Sequence, residues 1–243
     1  MMKRLGLLLC AVGALTGCQA PSSGRDDASA EPSAWLRPPQ IDTVRREGGS
    51  AIVSGRADPG ARVVLRGEGG AAFAAAADRE GRFVVRVAET GGDLFLTPEV
   101  QNGQDAAASP DRLALLASGA SALLRAGGST WRLDPPAEAL DVVDFDGQVI
   151  LASGRASAGE LVTVKASGQT LSANTDAQGR WSLILPAGTL GFSVGTAAYV
   201  LPSWVNDGIS PSNTGQTVNW HTSDGVLQRS WLPQNSGRGL SFK

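Results

Sequence analysis

The stretch that decides the fold is SGRADPGARVVL at residues 54–65, because it occurs again as SGRASAGELVTV at residues 153–164. A second matching pair follows, with DREGRF at residues 78–83 and DAQGRW at residues 176–181. The offsets are 99 and 98 residues, so a single insertion or deletion separates the copies. Solenoid repeats are typically about 20–50 residues long, so this period indicates duplicated whole domains.

Each copy has the sequence pattern of β structure. At the end of the first match, apolar residues recur at every second position, at 63 and 65 in the first copy and at 162 and 164 in the second, as in half-buried strands. Residues 78–81 and 176–179 are typical of hairpin turns, with an aspartate that accepts backbone N–H bonds and a glycine that adopts the left-handed conformation. Short strands with turn signals every 8–12 residues or so predict an all-β fold of two tandem β-sandwiches.

The repeated turns and strands resemble bacterial Ig-like domains of extracytoplasmic surface and envelope proteins. This resemblance implies two Ig-like β-sandwiches, at residues 39–134 and 135–243. The second copy departs from the family at Ala158, where proline is common. The residues that carry the resemblance are Gly55, Pro59, Gly60, Val63, Asp78, Gly81 and Phe83 in the first copy, and Gly154, Gly159, Val162, Asp176, Gly179, Trp181 and Pro186 in the second.

Two other segments need interpretation. Residues 113–124 have the composition of a short helix, but Gly119 in their middle and the glycines at 127 and 128 favour two strands around a turn. Residues 216–222 and 226–232 flank Ser223-Asp224-Gly225, and Asp-Gly is a strong turn signal. We expect a C-terminal hairpin there that completes the second sandwich.

The N-terminus has the features of an export signal. Lys3 and Arg4 precede an apolar run at residues 5–15, which is shorter than the roughly 20 residues of a membrane-spanning helix. The run ends in Leu-Thr-Gly-Cys at residues 15–18, which resembles the lipobox of bacterial lipoproteins. The resemblance implies a signal peptide at residues 1–17 and lipid on Cys18. Because Gln19 is not aspartate, the resemblance also implies the outer membrane. We expect the chain to face the periplasm, although the sequence itself does not distinguish this side from the cell surface.

The composition limits the partners and the covalent chemistry. Residues 18–38 are small, polar and rich in proline, which predicts a disordered tether. Without Lys3 and Arg4, 19 basic residues stand against 23 acidic ones, a formal charge of −4, so nucleic acid is excluded as a partner. Cys10 lies in the signal, so the mature chain forms no internal disulfide.

Few residues suggest chemistry. His221 is the only histidine and lacks companions for a zinc site or a catalytic triad, so we interpret it as a strand surface residue. Asp141, Asp144 and Asp146 form a weak calcium candidate near the domain junction, although a simple turn explains them too. Phosphate-binding glycine motifs are absent, and no cofactor is expected. Tryptophan is favoured at recognition sites, and the binding candidates are Trp204, Trp220 and Trp231.

These observations predict a protein that is not an enzyme. It would be held in the membrane by lipid on Cys18 and would serve a scaffolding, adhesion or protein-interaction role in the cell envelope. The alternative is a carbohydrate- or peptidoglycan-binding module that uses the tryptophans, which are either binding residues or core residues. The sequence identifies no individual partner, and an envelope protein or a glycan remains open.

Overall fold

The computed structural model describes residues 36–89, 91–103, 105–134, 139–203, 215–222 and 224–234. Strands account for 60% of the described residues and helical residues for 2%, in several antiparallel sheets. The all-β prediction is therefore confirmed. Residues 1–35 lie outside the described residues, and with them the predicted signal peptide, Cys18 and most of the predicted tether.

The first sandwich packs a three-stranded sheet against a seven-stranded one, and a short 3₁₀ turn at Glu68–Gly70 follows its third strand. Its strands are β1 (Gln40–Glu47), β2 (Ser50–Arg56), β3 (Arg62–Gly67), β4 (Ala72–Ala76), β5 (Arg82–Ala88), β6 (Leu94–Asn102), β7 (Asp105–Ala108), β8 (Arg112–Leu115), β9 (Ser121–Leu124) and β10 (Trp131–Arg132). The small sheet has the order β1-β2-β5. The large one has the order β10-β9-β8-β6-β3-β4, with β7 beside β6.

The second sandwich packs a five-stranded sheet against a four-stranded one. Its strands are β11 (Leu140–Phe145), β12 (Ile150–Arg155), β13 (Leu161–Ala166), β14 (Gln169–Asn174), β15 (Arg180–Leu185), β16 (Gly191–Val194), β17 (Ala197–Val200), β18 (Gly215–His221) and β19 (Leu227–Pro233). The sheets have the orders β15-β12-β11-β19-β18 and β14-β13-β16-β17. Strands β1-β2-β5 therefore correspond to β11-β12-β15, and the β18–β19 hairpin widens the second copy only.

The repeated turns contain the predicted glycine conformation but not the predicted hairpins. Gly81 has φ of 76° and Gly179 has φ of 73°. The carboxylate of Asp78 accepts the N–H groups of Glu80 and Arg82, and that of Asp176 accepts the corresponding pair. However, β4 and β5 lie in different sheets, and so do β14 and β15. Each turn carries the chain from one sheet to the other, because a local turn signal fixes the bend and not the strand that pairs next.

Two other predictions are confirmed. Residues 113–124 form strands β8 and β9, which pair across a turn in which Gly119 has φ of 92°. The C-terminal hairpin pairs β18 with β19, and β19 joins the second sandwich through β11. In its turn the amide of Gly225 donates to the carbonyl of Thr222 at 3.0 Å.

A third apolar core joins the two sandwiches. Strand β8 points Leu113 and Leu115 into the first sandwich, while the alternate residues Ala114 and Leu116 point outward, yet all four are buried. The outward residues pack against the outer face of the five-stranded sheet. The members of this junction core are Ala114, Leu116, Ala122, Leu124, Val142, Val218, Trp220 and Leu232. The described residues form one compact unit, with no division between the sandwiches.

Candidate functional site at the junction of the two sandwiches

Asp141 lies on a β-bulge and is held by an arginine of the next strand. The register of β11 against β12 shifts between Leu140 and Val142. Arg155 donates from Nε and Nη2 to the Asp141 carboxylate at 2.6 and 2.8 Å. Burial raises the pKa of Asp141 more than these hydrogen bonds lower it. The carboxylate therefore serves as the acceptor of a structural ion pair.

Asp144 belongs to a buried polar network that crosses the junction. Its carboxylate accepts the amide N–H of Thr130 at 2.7 Å and the hydroxyl of Ser230 at 2.6 Å. The Ser230 oxygen also accepts the indole N–H of Trp220 at 3.2 Å. Burial raises the pKa of Asp144 above its ordinary value and outweighs the hydrogen bonds. Because Thr130 precedes β10, this network fastens the first sandwich to the second.

Asp146 lies in the turn after β11 and has a third set of partners. Its carboxylate accepts the N–H groups of Gln148 at 2.8 Å and Val149 at 2.7 Å, and these bonds lower its pKa. The three candidate calcium ligands thus face separate partners. In the part of the chain that the structure describes, no three His, Cys, Asp or Glu side chains are grouped to hold a metal ion. The turn interpretation explains Asp146, whereas Asp141 and Asp144 lie within strand β11.

The structure places two of the three candidate tryptophans inside the protein. Trp231 is 0% exposed in the core of the second sandwich, and Trp220 is 3% exposed in the junction core. Of the two alternatives that the sequence leaves open, these two tryptophans are core residues and not exposed binding residues, because the β18–β19 hairpin packs one on each side of its sheet. Trp204 lies outside the described residues. His221 is exposed at the end of β18, as the sequence predicts.

A cation–π stack at the junction was missed at the sequence level. The guanidinium carbons of Arg125 and Arg180 each lie 4.2 Å from the ring centroid of Trp131. Arg180 belongs to the second sandwich and the other two residues to the first. Burial, and then the neighbouring charge of Arg155, lower the pKa of Arg180. The arginine-rich composition gave no sign of this contact, because residues 125, 131 and 180 meet only through the tertiary fold.

Arg132 is a further cross-link between the sandwiches. It is buried, and it donates to the carbonyl of Pro233 and to the carboxylate of Asp134, both at 2.8 Å. It also lines a cleft of about 350 Å³ together with Gln216. The Gln216 amide already accepts from the Ser118 hydroxyl and donates to Asp93. The polar groups of this cleft therefore bond within the protein, and the arrangement as a whole is suited to rigidity.

The comparisons with known proteins give no family. No protein family and no curated protein matches the chain. One matching solved structure is a Ca²⁺-stabilised adhesin that helps an Antarctic bacterium bind ice, at 16% identity and a TM-score of 0.22, over 81% of this chain and 49% of that one. Another is from a 1.5-MDa bacterial ice-binding adhesin, at 15% identity and a TM-score of 0.23, over 80% of this chain and 63% of that one.

This chain spans less than two thirds of either matched structure. At these TM-scores neither likeness bears on its function. Among the described residues, no helix has the length and apolar character needed to cross a membrane.

Proposed function

We propose that the chain is a lipid-anchored, non-catalytic protein of the cell envelope that presents a rigid β unit to another macromolecule. The observation that carries this proposal is the junction core, which buries residues of β8 and β9 against those of β11, β18 and β19. A shared core, a buried polar network and a cation–π stack fix the two sandwiches in one orientation. Such a unit suits scaffolding, adhesion or protein interaction.

The contacts of the candidate catalytic groups support a non-catalytic role. General acid–base catalysis needs a titratable side chain that can reach a substrate. Asp141 and Asp144 are buried and already bonded to Arg155 and to Ser230. The His221 side chain is exposed at the end of β18, and no carboxylate or hydroxyl contact of its ring is found among the described residues.

The anchor and the location rest on the N-terminal sequence. In this proposal lipid on Cys18 holds the chain in the outer membrane, facing the periplasm, and the tether at residues 18–38 gives it reach. The runner-up, a carbohydrate- or peptidoglycan-binding module, loses support at Trp220 and Trp231, because buried indole rings cannot stack on sugars. Trp204 is its remaining candidate.

Photo-crosslinking in intact envelopes tests the interaction role. The chain has few lysines for amine reagents, so a photoreactive residue is placed at Val84 or at Leu190, which are 58% and 80% exposed on different sandwiches. We expect a discrete macromolecular adduct from at least one position. The same residue at the buried Leu96 is the control for nonspecific labelling. If neither exposed position yields more adduct than the Leu96 control, the interaction role is wrong.

A further inference from the structure

The outer face of the three-stranded sheet carries two arginines in one cross-strand row. Arg45 of β1 lies opposite Ile52 of β2, and Ile52 lies opposite Arg86 of β5. All three point away from the core, because their neighbours Val44, Val53, Val85 and Val87 fill it. Ile52 is nevertheless only 4% exposed, while both arginines are exposed. Long arginine stems can cover an apolar residue while their charged ends stay in water.

Neither guanidinium of this row is neutralised by a side chain in the part of the protein that the structure describes. Within the described ranges, the side chains of Arg45 and Arg86 make no ion pair and no hydrogen bond. The two other arginines of this face are paired, Arg56 with Asp42 and Arg82 with Asp78. Two free cations therefore remain on a flat face of a chain whose net charge is negative.

The second copy shows what the corresponding face does there. Its row consists of Asp144, Leu151 and Ile184, in the same cross-strand register. At Asp144 this face is covered by the first sandwich, through the hydrogen bond from Thr130. The duplicated face is thus an interface at the Asp144 end of its row in the second copy, whereas Ile184 at the other end is 64% exposed. In the first copy arginine stands at both ends of the row, and both arginines are exposed.

We propose that the outer face of the three-stranded sheet binds a linear anionic glycan, with Arg45 and Arg86 pairing with its carboxylates. The arginine fork matches a carboxylate through two parallel hydrogen bonds. Arg45 on β1 and Arg86 on β5 lie on either side of β2, so their strands are two strand spacings, about 9.6 Å, apart. This separation favours several anionic groups in series over one small anion. The hydroxyls of Thr43 and Ser54 lie in the next row and are suited to sugar hydroxyls. This proposal deepens the interaction role and does not depend on the lipid anchor.

The small apolar area of this face argues for a glycan over an apolar protein surface. Val84 is the only exposed large hydrophobic residue that the described part of this sheet contributes. Protein interfaces place apolar and aromatic residues at their centre, with polar residues around them. Here the centre is Ile52 under two arginine stems, and the surroundings are hydroxyls and charges.

The test measures binding of the purified full-length chain in detergent to polygalacturonate, a linear polyuronate. We expect binding that weakens with added salt, because exposed charges are screened. The double variant Arg45→Gln and Arg86→Gln is expected to bind roughly tenfold less tightly, the sum of two exposed charge contacts. The control is Arg62→Gln with Arg79→Gln, which removes the same charge from exposed positions away from this face. Its affinity is expected to stay within about twofold of the wild type.

Three results would overturn the proposal: no binding of the wild type to polygalacturonate, an equal loss in the control variant, or binding that dextran, a neutral glycan, reproduces. Polyphosphate and anionic lipid vesicles form separate arms. If only one of those binds and the double variant loses it, the partner is a phosphate polymer or a membrane surface, and the glycan assignment is wrong. If the glycan-binding test fails but the photo-crosslinked adduct at Val84 or Leu190 still forms, the glycan assignment is wrong and the interaction role stands.

Discussion

Arg155 holds Asp141 through two hydrogen bonds of 2.6 and 2.8 Å, and the Asp141 side chain is only 4% exposed. The same pair occurs 99 residues earlier, where Arg56 holds Asp42 at 3.0 and 3.1 Å. Both aspartates lie at a register shift of the first strand of their copy. The difference is burial, since Asp42 is 37% exposed. The duplication has thus retained one contact in two environments.

We expect Arg155→Gln to destabilise the protein by about 2–4 kcal/mol, because it leaves the buried Asp141 charge without its partner. Arg56→Gln is the matched control, and its effect should be small, because solvent screens an exposed pair. Urea unfolding of both variants, followed by circular dichroism, measures the difference. Equal effects of the two substitutions would show that burial does not decide the strength of this pair.

Asp144 is expected to be sensitive to the size and polarity of its replacement. Asp144→Ala leaves the Thr130 amide and the Ser230 hydroxyl without their acceptor, which costs about 2–4 kcal/mol. Asp144→Asn keeps an acceptor oxygen and should cost less at neutral pH. Unfolding free energies of the two variants, measured by urea titration, check this order. The opposite order would mean that the carboxylate charge matters more than the hydrogen bonds.

We also expect the stability of the protein to depend on pH through the titration of Asp144. Its pKa is raised by burial in the folded state, so the folded protein binds the proton more tightly than the unfolded chain does. The stabilisation is complete below the ordinary aspartate pKa and is lost as the pH rises through the raised value. Asp144→Asn removes this titration, while Asp111 and Asp141, whose pKa values are also raised, stay in both proteins. The advantage of the wild type over Asp144→Asn should therefore shrink with rising pH, and parallel curves would contradict the assignment.

The turn glycines are expected to tolerate no side chain. Gly81→Val and Gly179→Val should each destabilise by about 1–3 kcal/mol from the positive φ alone. Steric overlap adds to this, because a Cβ at Gly81 would lie 2.5 Å from the carbonyl oxygen of Ala57. Gly92→Val is the control, since Gly92 has space around it and no positive φ. Thermal unfolding of the three variants is the measurement, and a Gly81→Val protein as stable as the control would be incompatible with this turn.

The junction core should make the two sandwiches unfold together. Leu124→Ala is expected to cost about 2–5 kcal/mol, since Leu124 is fully buried between the sandwiches. Leu161→Ala, at a position that is 61% exposed, should have little effect. Calorimetry of the wild type is expected to show one transition whose calorimetric and van't Hoff enthalpies agree. Two separated transitions in the wild type would mean that the junction does not couple the sandwiches.

The anchor is tested by Cys18→Ser. In the proposed function the lipid on Cys18 is the attachment to the membrane, so this variant should leave the membrane fraction or keep its signal peptide. Membrane anchoring by lipid requires the acyl chains themselves. Fractionation and the electrophoretic mobility of the variant measure both outcomes. Normal processing together with retention in the membrane at high salt would refute the lipid anchor.

The sequence by itself determined the all-β fold, the duplication and the turn glycines. These depend on local physics: a period of two places alternate residues on opposite faces, and a bend at positive φ strongly favours glycine. The prediction of strands at residues 113–124 also succeeded, because Gly119 interrupts the helical alternative. Their largely apolar composition has a cause that the sequence does not show, namely that β8 is buried on both faces.

Only the tertiary structure decided how the two copies meet. It assigned the turns at Asp78 and Asp176 to crossings between sheets, and it buried Trp220 and Trp231 on opposite faces of one hairpin. It also placed Asp141 in an ion pair, Asp144 in a buried network and Asp146 in a turn. Contacts between residues about 100 positions apart, such as Thr130 with Ser230, leave no local pattern. They exist because the first sandwich covers the outer face of the five-stranded sheet. Which face is covered depends on packing over the whole chain.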